Sequence, residues 1–311
     1  MSAPVERLDI PAATGLVLTG VRWSAAPSLA DSIPTQGKRA STSRAAAVVI
    51  AITGVHGNFH TNPFYIPIGQ SLAAAGIDFI YAQTRDALSK VEIRNTITGQ
   101  LQTIGSWNED MERSHEDVAA YVDFAAQQGY DHIILAGHSL GANKVIRYLS
   151  QTQDPRVERF ILLSPANLRH MRTAISPQQR RYIDGLVARG RGETELPFAL
   201  FGWLPSLATT ASQWIHSPVL DNVHTDPRGD FSQVENITHT GALVIGTFDA
   251  FTDGDPATFL RTINSHMPRA DENEIVLIEA TGHTYQGKDE EIAAVMTRLA
   301  SGWTRPEHIA A

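Results

Sequence analysis

The chain has 311 residues, of which 42% are hydrophobic and 19% are charged, and its formal net charge is −8. This composition is typical of a soluble globular protein, while the negative charge disfavours a nucleic-acid partner. Because the chain has no cysteine, disulfides, thiolate metal sites and cysteine nucleophiles are excluded.

The first residues contain no basic region followed by an apolar core, so no secretory signal is predicted. No apolar run is long enough to span a bilayer, and we expect a protein without a membrane partner. A cytoplasmic location is the default that follows from these two observations. The sequence leaves the oligomeric state open.

The N-terminal half predicts strands that alternate with helices. The run at 45–53 is almost entirely small or β-branched, which is typical of a strand buried on both faces of a parallel sheet. A segment rich in Ser, Pro, Thr and Lys at 25–44 predicts a surface loop. Around Thr98-Gly99, alternating apolar and polar residues predict a hairpin over 91–105. The other elements predicted in this half are strands at 5–10, 15–23 and 78–82 and helices at 65–75 and 108–128.

A serine between two glycines follows the next predicted strand, at 132–136. The stretch Gly137-His138-Ser139-Leu140-Gly141 leads into an amphipathic helix over 142–149. A strand-to-helix turn of this kind holds the hydroxyl clear of the sheet edge at the positive end of the helix, as a nucleophile requires. The glycines are needed because a Cβ at either position would clash in so tight a turn. The alternative is a glycine-rich turn whose serine only caps the helix.

The pattern changes after a predicted strand at 160–163. Residues 165–231 lack a strand of the buried kind and predict a mostly helical insertion. The alternation then resumes, with strands at 242–247 and 274–278 and helices at 256–265 and 289–301.

This order of elements predicts an α/β fold with a mainly parallel central sheet and helices on both of its faces. We expect one core domain formed by residues 1–164 and 236–311, with a helical insertion at 165–235. In sheets of this kind, ligands bind beyond the carboxyl ends of the strands.

A serine hydroxyl is a good nucleophile only when a base removes its proton and an acid orients that base. The candidate base is His283, which follows the last predicted strand, and the candidate acid is Asp249, which follows the strand before it. Together with Ser139 they give the chain order serine, aspartate, histidine, each on its own strand-end loop.

Several neighbouring residues offer alternative roles. Asp253 and Asp255 are either helix caps or rival candidates for the acid. His138 is expected to pack beside the serine, because alternate residues of a turn point away from each other. His56 and His60 are candidates for contact with substrate.

The oxyanion that forms during such a reaction needs hydrogen-bond donors that are already in place. The backbone N–H of Leu140 is the first candidate. If Gly54 ends the preceding strand, the second donor is the N–H of Val55, and if His56-Gly57 is the functional pair, it is the N–H of Asn58. We favour Val55 because the apolar run stops just before Gly54.

In these features the chain resembles the α/β-hydrolase superfamily over most of its length. The resemblance is carried by Gly137–Gly141, Asp249, His283 and the glycine loop Gly54–Phe59. It implies an α/β-hydrolase fold with a cap domain inserted after the strand that follows the serine turn. A finer likeness, to a group that includes fungal siderophore esterases, is carried by Gly57–Phe64, Asn143-Lys144-Val145 and Leu163–Ala166.

The resemblance also implies that the cap supplies the walls of the substrate pocket. Candidate wall residues in the insertion are Met171, Phe201, Trp203 and Trp214. Helical aromatic residues more often form a core, which is the alternative for each of them.

We therefore expect a serine hydrolase that cleaves a carboxylic ester or lactone through an acyl-enzyme, with no metal or organic cofactor. Acyl transfer, or cleavage of an amide, thioester or carbon–carbon bond, would use the same residues. A non-catalytic ligand-binding protein on the same scaffold is a further alternative. His216 and His224 lack the spacing of a metal site.

Overall fold

The computed structural model describes residues 3–26 and 45–304. All but the first two residues of the surface loop predicted at 25–44 lie outside this described part.

Ten strands form in the described residues, eight of them in one sheet. That sheet has the order β1-β2-β4-β3-β7-β8-β9-β10, and β5 and β6 form a separate pair. The strands are β1 Val5–Pro11, β2 Val17–Trp23, β3 Ala47–Ile52, β4 Asp78–Ala82, β5 Val91–Arg94, β6 Leu101–Ile104, β7 His132–His138, β8 Val157–Leu163, β9 Thr240–Gly246 and β10 Glu274–Ile278.

The sheet is mainly parallel, as the alternation of elements predicts. Only the pairings of β1 with β2 and of β2 with β4 are antiparallel. All residues of β3 and β9 are buried, because helices cover both faces of the sheet. The buried apolar runs of the sequence therefore mark the central strands.

Nine α-helices form in the same residues. They are α1 Tyr65–Ala74, α2 Ser114–Gln128, α3 Leu140–Thr152, α4 Leu168–Arg172, α5 Pro177–Ala188, α6 Ala208–His216, α7 Ser232–Glu235, α8 Pro256–Ser265 and α9 Asp289–Thr304. One face of the sheet packs on α2, α3 and α8, and the other packs on α1 and α9. In the described part of the chain, no helix has both the length and the apolar character needed to cross a membrane.

The predicted start of α2 is wrong by six residues. Two short 3₁₀ turns, at Ser106–Asn108 and Met111–Arg113, precede the helix. The side chain of Asp110 accepts a hydrogen bond from the N–H of Glu112, and this local bond favours the turn over a continuous helix. The hairpin predicted around Thr98-Gly99 is confirmed by the antiparallel pair β5 and β6.

The segment between β8 and β9 is less helical than predicted. Helices α4, α5 and α6 cover fewer than half of the residues 165–231, and the rest forms turns and two isolated β-bridges. Glycine and proline residues interrupt the helical pattern, because they favour turns. The segment contains no regular strand and supplies most of a separate apolar cluster, which also includes Met111 and Leu140, with Leu200 and Trp214 completely buried.

Candidate active site

Ser139 lies at the sharp turn between β7 and α3. Its backbone has φ +55° and ψ −129°, a strained conformation for a residue with a side chain. A Cβ on Gly137 would lie 2.4 Å from the carbonyl oxygen of Gly141, and one on Gly141 would lie 2.2 Å from that of Ile52. The predicted need for both glycines is therefore confirmed, since the turn leaves room for hydrogen only.

Asp249 and His283 follow β9 and β10, on the same edge of the sheet as Ser139. The Nε2 atom of His283 lies 2.9 Å from the Oγ atom of Ser139, and its Nδ1 atom lies 2.8 Å from the Oδ2 atom of Asp249. The structure thus brings together three side chains of which the first and last, Ser139 and His283, are 144 residues apart in sequence. We call Ser139, His283 and Asp249 the serine cluster.

The electrostatics of the serine cluster favour an ionised acid. Asp249 is 3% exposed, and burial by itself would raise the pKa of its carboxyl group. The hydrogen bond and charge of His283 and the backbone N–H of Phe251, 3.0 Å from Oδ1, outweigh burial and lower that pKa below its ordinary value. The carboxylate is therefore held in the charged form that orients an imidazole.

The rival acids serve other purposes. Asp255 accepts hydrogen bonds from the N–H groups of Ala257 and Thr258 and caps α8. Asp253 pairs with Nδ1 of His170 on α4. Neither is bonded to His283 in the described residues, whereas Asp249 is.

His138 packs behind the serine, as predicted. It is 2% exposed, and its Nε2 atom lies 2.8 Å from the carbonyl oxygen of His283. Burial, followed by the nearby His283 ring, lowers the pKa of His138 to about 3. The ring is therefore neutral near pH 7 and supports the loop of His283.

The two predicted oxyanion donors are free of protein partners in the described residues. Neither the N–H of Leu140 nor that of Val55 donates a hydrogen bond there, whereas the N–H of Asn58 donates to Oγ1 of Thr61 at 3.0 Å. A Cβ on Gly54 would lie 3.3 Å from the nitrogen of Leu140, so the loop touches the serine turn. Between the two predicted loop donors, this arrangement favours Val55 over Asn58.

A cavity of about 140 Å³ adjoins Ser139 and His283. The other lining residues that the sequence singles out individually are Gly54, Val55, His138, Met171 and Trp203. The lining also contains Asn62 and Ala166, which lie within the quoted segments Gly57–Phe64 and Leu163–Ala166, and Phe251 and Thr284, which the sequence patterns do not single out. Phe251 and Thr284 are near neighbours in sequence of Asp249 and His283, and that proximity is the signal that could have found them.

The remaining candidate contacts do not line this cavity. His56 bonds Oγ of Ser106 and packs on Trp203, with 5.5 Å between ring centroids, and His60 is exposed. Phe201 lies between the rings of Trp203 and Trp214, 6.0 Å and 5.2 Å away. Trp214 is fully buried and belongs to the core of the inserted segment, which is the alternative that the sequence left open.

A second charged cluster lies further along α3 and is sealed inside the protein. The Nζ atom of Lys144 lies 2.6 Å from Oδ1 of Asp86 and 3.0 Å from Oε1 of Glu109, and all three side chains are at most 1% exposed. Burial and then the charge of Asp86 raise the pKa of Glu109, so this carboxyl group retains its proton more readily. We call these three residues the lysine cluster.

The described residues contain no group of three or more His, Asp and Glu side chains arranged to hold a metal ion. His216 pairs with Asp184, and His224 bonds the carbonyl oxygen of Asp230.

Comparisons with known proteins concern the family and the fold of the chain. Residues 54–295 match the model of the alpha/beta hydrolase family, which covers more than half of the chain and includes Ser139, Asp249 and His283. No curated protein matches the sequence.

Solved structures share the fold over almost the whole chain. Est1E from Butyrivibrio proteoclasticus is 16% identical, with a TM-score of 0.59 over 94% of this chain and 96% of that one. DcsB, solved in complex with its substrate analogue, is 13% identical, with a TM-score of 0.64 over 99% and 100%. A monoacylglycerol lipase from Paleococcus ferrophilus is 13% identical, with a TM-score of 0.59 over 92% and 99%. At these identities the likeness concerns the fold.

Proposed function

Because the chain belongs to the alpha/beta hydrolase family, we propose that it is a serine hydrolase that cleaves a carboxylic ester or lactone. The observation that supports this most directly is the continuous chain of contacts from Oγ of Ser139 through His283 to Asp249, at 2.9 Å and 2.8 Å. These distances lie within the hydrogen-bond range that a nucleophile and its base require.

In the proposed reaction, Oγ of Ser139 attacks the carbonyl carbon while Nε2 of His283 accepts the hydroxyl proton. The same imidazole then donates that proton to the leaving alcohol, which departs and leaves an acyl-serine. Water, deprotonated by His283, attacks the acyl group and releases the acid. Asp249 stays ionised throughout, holds the imidazole in the required tautomer and stabilises its positive charge.

The oxyanion formed in both steps would accept hydrogen bonds from Leu140 and Val55. Both N–H groups lack other partners in the described residues, and they belong to two backbone segments in direct contact. Backbone donors held in this way stabilise the transition state without any reorganisation during the reaction.

The cavity supports a small, uncharged substrate group. Its volume of about 140 Å³ is close to that of an engineered cavity of about 150 Å³ that binds benzene. No lysine or arginine is among the residues that line it in the described part of the chain. Short acyl groups of p-nitrophenyl esters should therefore be preferred, with butyrate turned over faster than octanoate.

We also propose that residues 165–235 act as a cap on the core formed by residues 1–164 and 236–311. Met171 and Trp203 belong to this segment and line the cavity. Most of the segment's buried residues belong to one apolar cluster that also includes Leu140, so the segment packs directly on the serine turn. Trp203, 45% exposed, lies at the edge of the cavity.

The test of the proposal is the loss of the nucleophile. The wild-type protein should hydrolyse p-nitrophenyl butyrate and react covalently with a fluorophosphonate probe, and Ser139→Ala should abolish labelling and lower kcat by about 10⁵–10⁶-fold. Ser232→Ala, which removes the hydroxyl of an exposed serine, is the matched control and should behave as wild type.

Two outcomes would contradict the proposal. A Ser139→Ala variant that retains wild-type turnover would show that another group is the nucleophile. A wild-type protein that neither labels nor hydrolyses any member of a panel of esters and lactones would favour a non-catalytic binding protein. Circular dichroism and thermal unfolding of each variant would establish that the fold is retained.

A further inference from the structure

Asn62 lines the cavity beside Ser139 but has no part in the chemistry proposed above. The residue is only 7% exposed, and it borders the cavity. Its backbone is fixed, because its N–H donates to the carbonyl oxygen of Asn58 at 3.0 Å and its carbonyl accepts from the N–H of Tyr65 at 3.4 Å. Across residues 3–26 and 45–304, however, the side-chain amide forms no hydrogen bond.

This free amide is unusual within the same protein. Every other buried asparagine in the described residues uses its side chain in two or more hydrogen bonds; these residues are Asn95, Asn143, Asn167 and Asn222. Buried polar side chains in proteins are nearly always paired, and an unpaired one calls for an explanation.

A structural role for the amide is already filled by a neighbour. Asn58 donates from Nδ2 to the carbonyl oxygens of His56 and Ala87, at 3.0 Å each, and accepts from the N–H of His60. Asn58 therefore fixes the loop that carries Val55. The side chain of Asn62 adds no bond to that loop, so its polarity serves something that enters the cavity.

We propose that Asn62 is a specificity-determining residue that hydrogen-bonds an uncharged hydroxyl on the substrate group held in the cavity. The amide has a donor and an acceptor, and a hydroxyl can pair with either. A carboxylate fits less well, because no lysine or arginine lines the cavity in the described residues. The remaining wall residues are largely apolar, so one buried amide can set the preference.

This proposal rests on the serine hydrolase function, and the experiment separates the two. Methyl 3-hydroxybutanoate and methyl 3-methylbutanoate have the same number of heavy atoms and differ by a hydroxyl in place of a methyl group. Binding of each ester to the Ser139→Ala variant, measured by nuclear magnetic resonance titration, should favour the hydroxy ester by about three- to tenfold. The ratio of kcat/KM in the wild-type enzyme should show the same preference.

Replacing the amide should remove the preference. Leucine is close in shape to asparagine and lacks polar side-chain atoms. Asn62→Leu should therefore lower affinity and kcat/KM for methyl 3-hydroxybutanoate by about three- to tenfold relative to methyl 3-methylbutanoate. Met171→Leu changes an apolar wall residue and is the matched control, which should leave the ratio unchanged. Asn62→Ala repeats the test if the leucine variant does not fold.

Three results would overturn the proposal. Equal binding of the two esters to Ser139→Ala would show that no hydroxyl is recognised. An equal fall for both esters in Asn62→Leu would indicate that the amide acts on the common ester group. A Met171→Leu variant that changes the ratio as much as Asn62→Leu would indicate that shape governs the preference. If no ester is turned over but the binding preference is present, the hydrolase proposal fails and the role of Asn62 stands.

Discussion

The serine cluster and the lysine cluster both adjoin α3 and both bury charged side chains, but only the serine cluster opens to the cavity. Ser139 immediately precedes this helix and Lys144 lies five residues further along. The side chain of His283 retains 17% of its exposure, whereas Lys144, Asp86 and Glu109 retain at most 1%.

The positive charge of the lysine cluster is present in the resting protein, whereas that of the serine cluster would form only during the proposed reaction. In the lysine cluster the ammonium is charged at neutral pH before any reaction begins: burial alone would lower the pKa of Lys144, but the charges of Asp86 and Glu109 outweigh burial and raise it. In the proposed reaction, the imidazolium and the oxyanion of the serine cluster form only during catalysis. We therefore expect substitutions in the lysine cluster to lower stability and substitutions in the serine cluster to lower turnover.

The largest expected effect is on turnover, from Asp249→Asn. An amide cannot stabilise the imidazolium and favours the wrong tautomer of His283, so kcat for p-nitrophenyl butyrate should fall by about 10⁴-fold. The free energy of unfolding should change much less. Asp255→Asn alters only the cap of α8, so it is the control and should keep the wild-type kcat.

The next effect is on stability, from Lys144→Met. The substitution leaves Asp86 and Glu109 buried without their cation, so the free energy of unfolding should fall by about 3–5 kcal/mol in urea denaturation. Lys288→Met is the matched control, because Lys288 forms a surface pair with Glu291 that should contribute about 0–1 kcal/mol. An equal fall in the free energy of unfolding of the two variants would show that the lysine cluster contributes no more to stability than a surface pair.

The serine cluster was predictable because each member follows a recognisable apolar strand. Such strands end at one edge of a parallel sheet, so Ser139, Asp249 and His283 could be placed together from their positions in sequence. The mainly parallel sheet and the alpha/beta hydrolase family are confirmed for the same reason. The catalytic roles of these residues stay predictions until they are tested.

The lysine cluster was not predictable from the same sequence. Asn143 and Lys144 belong to the polar face of an amphipathic helix, which ordinarily faces solvent. Here loops and the segment between β8 and β9 cover that face: Asn143 bonds the carbonyl oxygens of Ala166 and Leu220. Contacts so distant in sequence leave no periodic signal.

Contacts between distant parts of the chain also place residues of the same type in different environments. Trp203 and Trp214 lie in the same inserted segment, and both are candidate pocket walls by sequence. Trp203 lines the cavity, whereas Trp214 is completely buried in the segment's core. The same holds for two asparagines of one loop: nothing in the local sequence distinguishes Asn62 from Asn58, yet the side-chain amide of Asn58 makes three hydrogen bonds.

A smaller effect tests whether the geometry of the serine cluster matters apart from its charges. A Cβ on Gly54 would lie 2.9 Å from Cβ of Ser139 and 3.0 Å from the carbonyl oxygen of His138, so Gly54→Ala must displace the loop that carries Val55. Loss of one oxyanion donor should lower kcat by about 10²–10³-fold. Gly302→Ala is the control, since a Cβ there meets no atom within 4 Å in the described residues. An unchanged kcat in Gly54→Ala would exclude Val55 as a donor.

The last effect, which is absent at neutral pH, concerns His138, a buried titratable group that contacts the serine cluster from behind. Its pKa is lowered from the ordinary 6.5 to about 3, so between these values the unfolded chain binds a proton that the folded chain does not. The free energy of unfolding should therefore fall as the pH falls from about 6.5 towards 3, by about 1.4 kcal/mol per pH unit from this group. His138→Phe should remove that part of the slope, measured by urea denaturation at several pH values. If the free energy of unfolding depends on pH equally in wild type and His138→Phe, the loss of stability in acid arises from other groups.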